Sequence, residues 1–187
     1  MRVEVVTPPD PIVTLDEAVD HLKVDPTGQE SHIEALIAAA TGHIDGPEGW
    51  LGRALGVQSL QVYVPDFGAD GTLRLPYRPI IEIEEVTARQ SDGAWGVIEP
   101  TVYELRGDRL ALGWGGSWPT VPYHDESVSV RYTAGYDTVP APITAAILLM
   151  VGDLFRNRGT VQVGMSVASV PMSTTVENLL APFRVYR

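Results

Sequence analysis

The stretch WLGRALGVQSLQVYVP, residues 50–65, is where the chain changes its period. Upstream of it, Ile33, Leu36, Ile37, Ala40 and Ile44 follow the i, i+3, i+4, i+7, i+11 spacing of an amphipathic helix, with Thr27 or Ser31 available as its cap. From Val57 onward, apolar residues fall on every second position, the signature of a half-buried strand. DGPEG at 45–49 ends or interrupts the helix, because Gly and Pro are poor in a helix interior, and WLGRAL can resume it for a turn or two.

Working outward toward the N-terminus, TLDEAVDHL (14–22) reads as a first short helix. Thr14 caps it, Glu17 stands three residues on to complete a capping box, and Leu15, Val19 and Leu22 share one face. Toward the C-terminus, six runs have alternating or β-branched character: VQSLQVYVP, GTLRLPYRPI, IEIEEVTARQ, TVYELRG, DRLALG and SVSVRYTAGY. Gly, Pro, Asp and Ser separate them, and SDGAWG and RGDRL are the hairpin turns. Residues 57–139 therefore form an antiparallel sheet or small barrel.

Pro140 and Pro142 then open a third helix, with backbone angles suited to a first turn. Ile143, Ile147, Met150, Val151, Leu154 and Phe155 line one face of it, and RNRG at 156–159 supplies the cations and glycine that suit a helix C-terminus. So apolar a helix is a core element or an oligomer contact. TVENLLAP, 175–182, reads as a last short helix before the tail. The fold class expected is α+β: 1–56 and 140–187 combine into a small helical bundle, because neither set can bury its apolar face alone, and 57–139 is an antiparallel β lobe inserted between them. At 187 residues this is one two-lobed domain.

Composition narrows the function. The absence of cysteine removes disulfides, thiol nucleophiles and thiolate metal sites. The longest apolar run, 145–152, is too short to cross a bilayer, and MRVEVVTPPDP lacks the basic-then-apolar pattern of a signal peptide, so a soluble protein made in a cytosol is expected. The net charge of −11 is uneven: residues 1–56 carry 3 basic and 10 acidic side chains, 57–139 carry 6 and 12, and 140–187 carry 4 and 2. Acid over the bulk of the chain, with a single lysine at 23, argues against binding to a phosphate backbone.

The catalytic inventory is empty. DFG at 66–68 stands without a glycine-rich loop or HRD and reads as a turn. Asp66 and Asp70 lack the spacing of an EF-hand. His21, His32 and His43 recur every eleven residues, roughly 16 Å along a helix, too far to share a metal, and His124 beside Asp125 and Glu126 lacks a second ligand. Glu82, Glu84 and Glu85 with Trp95, Trp114 and Trp118 raise sugar chemistry, but strand alternation simply turns Glu82 and Glu84 to solvent. Neither a phosphate loop, a dinucleotide fingerprint nor a serine elbow is present, so no metal and no cofactor are expected.

One stretch stays unexplained by these readings. ENLLAPFRVYR, 177–187, is apolar, aromatic and basic on an acidic protein, whereas chain ends are usually polar and frayed. Taken with TLDEAVDHLKVD, ESHIEALIAAATGHID running to GRAL, LRLPYRPI, and VRYTAGY leading into VPAPITAAILLMVGDLFRNRG, it makes the chain resemble, nearly end to end and in the same order, the head-tail connector (adaptor) family of long-tailed phages and gene transfer agents. The resemblance implies a non-enzymatic structural protein at the head-tail interface of a virion or virus-like particle, made in the bacterial cytoplasm. It implies a ring of about twelve copies that docks on the portal, joins the next neck or tail component (a stopper or tail terminator), and leaves a channel through which DNA passes without specific binding. On this reading Leu179, Leu180, Pro182, Phe183, Arg184, Val185, Tyr186 and Arg187 bind the portal. The alternative for the tail is that it folds back on its own core. Rival functions are a monomeric acidic interaction module or DNA mimic, and a carbohydrate-active or carbohydrate-binding domain built on the tryptophans; both leave the tail unexplained.

Overall fold

The computed structural model describes residues 1–157 and 172–186, and its elements are α1 (Leu15–Leu22), α2 (Glu30–Ile44), α3 (Ala141–Arg156), α4 (Thr174–Leu180) and eight strands. The strands are β1 (Arg2–Thr7), β2 (Gln58–Val64), β3 (Leu73–Arg74), β4 (Ile80–Arg89), β5 (Trp95–Val97), β6 (Tyr103–Arg106), β7 (Arg109–Leu112) and β8 (Val128–Ala134). The fold is α+β, with two compact units: residues 1–10 with 53–137, and 11–52 with 138–187.

The β unit contains a five-stranded antiparallel sheet in the order β1-β2-β8-β4-β5 and a three-stranded one in the order β3-β7-β6. Strict alternation in β2 buries Leu60, Val62 and Val64, which meet Val128, Val130 and Tyr132 of β8 and Val86 and Ala88 of β4. Leu73, Leu105 and Leu110 of the smaller sheet, with Leu75 and Val102 next to its strands, complete the same core. Burial raises the Tyr132 phenol far above its ordinary range, and its hydroxyl donates to the Pro76 carbonyl at 2.9 Å.

Several expectations are corrected here. Arg2–Thr7 is a strand paired with β2, so residues 1–10 join the sheet rather than the N-terminal helices. Of the run GTLRLPYRPI, only Leu73–Arg74 and the final Ile80, where β4 begins, lie in strands, because the chain between them turns through Tyr77 at positive φ. β5 is an additional strand within the SDGAWG hairpin region, closed by Gln90 N–H donating to the Ala94 carbonyl. In β4, register irregularities between Ile80 and Glu82 and between Ile83 and Glu85 leave Glu82, Glu84 and Glu85 all exposed, and Thr133 Oγ1 donates to Glu84 Oε1 at 2.7 Å. Gly135 is required by close approach: a Cβ there would stand 2.2 Å from the Gly56 carbonyl oxygen.

In the helical unit, the Thr14–Glu17 capping box is present in both directions. α2 is capped by neither Thr27 nor Ser31: Gln29 holds the N-cap without a side-chain bond, and Thr27 instead donates to Asp25. Nor does WLGRAL resume α2, since residues 46–51 form turns. α2 buries Ile33, Ile37, Ala40 and Ile44, and α3, which packs against it, buries Ile143, Ala146, Ile147 and Val151. Among the described residues no helix is long and apolar enough to cross a membrane.

Two outcomes check this packing. Leu60→Ala, which empties a fully buried position in the second strand of the larger sheet, is expected to cost about 2–5 kcal/mol in urea unfolding. The edge strand β1 is tied by Arg2, whose guanidinium donates to Glu126 at 2.6 and 3.1 Å and lies 4.1 Å from the Tyr63 ring centroid. The hydrogen bond from Arg2 holds the Glu126 carboxyl below its ordinary 4.5, so the tie contributes above that pH and is lost as pH falls through the lowered value. Amide protection of β1, corrected for intrinsic exchange, is therefore expected to fall on acidification, and Glu126→Gln to lower it at neutral pH while removing the pH dependence.

Candidate functional site

The C-terminal segment is built from the end of the last helix outward. Ser173 caps α4, accepting from Val176 N–H, and α4 turns Val176 and Leu180 inward to full burial, leaving Leu179 half-buried. Pro182 sits in a single 3-10 turn, Ala181–Phe183, and is exposed, while Phe183 is half-buried. Beyond it the backbone is extended, and Val185 N–H donates to the Leu51 carbonyl at 2.9 Å. Arg184 lies over the Trp50 ring, 4.0 Å from its centroid, and 4.9 Å from that of Tyr186. Tyr186 itself is 77% exposed, and Arg187 lies outside the described residues.

The tail is thus fastened at its base and presented at its tip. Folding back accounts for Leu180, Arg184 and Val185, and leaves the Tyr186 aromatic body in water with a cation beside it. WLGRAL, read from sequence as a helix continuation, is instead the ledge that receives the tail, through Trp50 and Leu51. Sequence spacing carried no signal for that, because the contact joins positions more than 130 residues apart.

The apolar face of α3 divides. Ile143, Ile147 and Val151 are fully buried core, Met150 and Phe155 are half-buried, and Leu154 is exposed at 36%. Phe155 lies beside the His32 ring at 6.1 Å between centroids.

The other candidate residues fall into structural settings. Gly68 N–H donates to Asp66 Oδ1 at 2.7 Å, and Phe67 is buried, so DFG is a turn. Bonds from the Thr72 hydroxyl and backbone N–H hold the Asp70 carboxyl below the usual range. Trp95 lies under Arg89, Trp118 stacks on Phe67 at 4.0 Å, and Trp114 is fully exposed. His21, His32, His43 and His124 are exposed, and among the described residues no group of three or more His, Asp or Glu is placed to hold a metal.

No family model matches the chain, and no curated protein sequence is significantly similar to it. Solved structures do resemble it over its whole length. A chain of the neck of an empty GTA particle computed with C6 symmetry superposes with a TM-score of 0.72 at 19% identity, covering 100% of this chain and 97% of that one. A chain of the neck of a native GTA particle computed with C12 symmetry gives 0.71 at 19%, and one from the virion of a native gene transfer agent particle gives 0.71 at 18%, with the same coverages. At such identity the likeness is one of fold.

Arg184→Ala is expected to lower the stability of the helical unit by about 0.5–1 kcal/mol, the worth of an exposed cation–π contact. It should also raise exchange at the Val185 amide, and an unchanged urea midpoint with unchanged exchange would mean that the tail is not held by Trp50.

Proposed function

We propose that this chain is a structural neck protein, an adaptor that forms a ring beneath the portal and joins the capsid to the next neck or tail component. The observation that carries the reading is full-length coverage: the whole α+β chain, tail included, matches a chain of a GTA neck across 97% of that chain's length. The C12 symmetry of one such neck is the basis for expecting about twelve copies. Residues of the tail supply the portal contact. Tyr186 offers the amphipathic aromatic surface typical of interface anchors, Arg184 is available to exchange Trp50 for a carboxylate, and Pro182 lowers the cost of ordering.

The acidity fits a conduit. Twelve copies at −11 amount to on the order of −130 charges, and a wall of like sign keeps DNA from adhering as it passes. The protein would act without catalysis, cofactor or membrane, in the particle at the head-tail interface.

Native mass spectrometry of the chain mixed with the portal of its own particle tests this, for full length and for a version ending at Ala181. The expected result is a complex of about twelve copies on the portal for the full chain, lost on truncation. A monomer indifferent to the portal in both versions would contradict the proposal.

A further inference from the structure

The link between β7 and β8, residues 113–127, has no regular secondary structure, and loops of that length inside a compact unit are uncommon, being as a rule either functional or disordered linkers. It is nevertheless held firmly. Trp118 stacks on Phe67 within 3° of parallel and donates from Nε1 to the Gly71 carbonyl at 2.9 Å. Ser127 Oγ donates to the Pro122 carbonyl at 2.6 Å. Gly113 N–H donates to the Val102 carbonyl at 2.9 Å, and Gly116 N–H closes a turn onto Gly113 at 3.1 Å. That turn is pressed so close to the backbone that a Cβ on Gly116 would stand 2.5 Å from the Val102 oxygen, and Gly115 within it takes φ +75°.

The side chain that this turn displays is Trp114, at 104% relative exposure, and Tyr123 on the same loop stands at 105%. Two aromatics held fully in water on a pinned loop forgo burial within their own chain and are pre-ordered for burial elsewhere. They would cover roughly 300–500 Å² between them, about half of one partner's ~800 Å² share in a standard interface.

The helical unit carries a matching recess. Between α2, α3 and the start of α4 lies a groove of about 250 Å³ lined by Ala39, His43, Met150, Asp153, Leu154 and Met172. It is smaller than most ligand pockets, which run ~300–1,000 Å³, and suits one large side chain. Its chemistry suits an indole: two thioethers for the ring faces, small alanine floor, and a carboxylate to accept from the indole N–H.

We propose that Trp114 of one copy inserts into the groove of a second copy of this chain, with Tyr123 packing at its rim. The inference rests on the ring reading, because a ring needs a contact between two different patches, and here one chain carries both the projection and the recess.

The test uses Trp114→Ala, which removes the projection from a fully exposed position, and Ala39→Trp, which fills the recess from an exposed helix position. Sedimentation velocity and native mass spectrometry would follow each alone and the two mixed, in solution and on the portal. Each variant alone is expected to weaken self-association at least about tenfold, as loss of an interface anchor does. The mixture is expected to recover dimers but no rings, since it contains one intact projection and one intact recess per pair. A wild-type ring that W114A reproduces, or a mixture that recovers nothing, would overturn this inference and leave the ring reading standing. Wild-type chain with no self-association in solution or on the portal would overturn both.

Discussion

The packing of α2 on α3 is the contact on which the rest depends. Ile33, Ile37, Ala40 and Ile44 on one helix, and Ile143, Ala146, Ile147 and Val151 on the other, leave water as these two helices pack together, with α1 and α4 packed beside them. These helices come from opposite sides of a strand-forming stretch, so their association fixes the topology: the chain must leave the helical unit at residue 52, complete a β unit, and return at 138. The return is placed within the β unit by Gly135, whose missing Cβ lets the chain after β8 pass against Gly56. α4 follows α3 and, through Val176 and Leu180, sets where the tail begins.

Most of this frame was legible in the residues. The change of period at Val57, the capping box at Thr14 and the Pro-opened helix at 141 each rest on local physics, spacing, a cap or a fixed φ, and local physics is what a sequence displays. What was missed is of another kind. β1 shows alternation in Arg2, Val3, Glu4 and Val5, but it is a short terminal strand with little burial, and only its pairing to β2 gives it a structure. β5 has three residues, fewer than a period-two pattern needs to be seen. The α2 cap fell to Gln29 because the Thr27 hydroxyl is committed to Asp25.

The surface proposed for docking was legible only in part. Composition marked ENLLAPFRVYR as anomalous, and resemblance marked it as a docking tail. That Arg184 would rest on Trp50 and Val185 on the Leu51 carbonyl needed three dimensions. Likewise GWGGSWP advertised three glycines and two tryptophans, but only the fold separates Trp118, spent on anchoring the loop, from Trp114, left in water. In the proposed ring, copies of an acidic chain repel one another, so the contact between them would rest on uncharged anchors and a few cations.

The most direct test of the central claim is electron microscopy of the full chain bound to the portal of its own particle, averaged in end-on view. The account predicts a closed ring of about twelve copies around an open centre. Portal particles that stay bare, or that carry isolated copies without a ring, would contradict it.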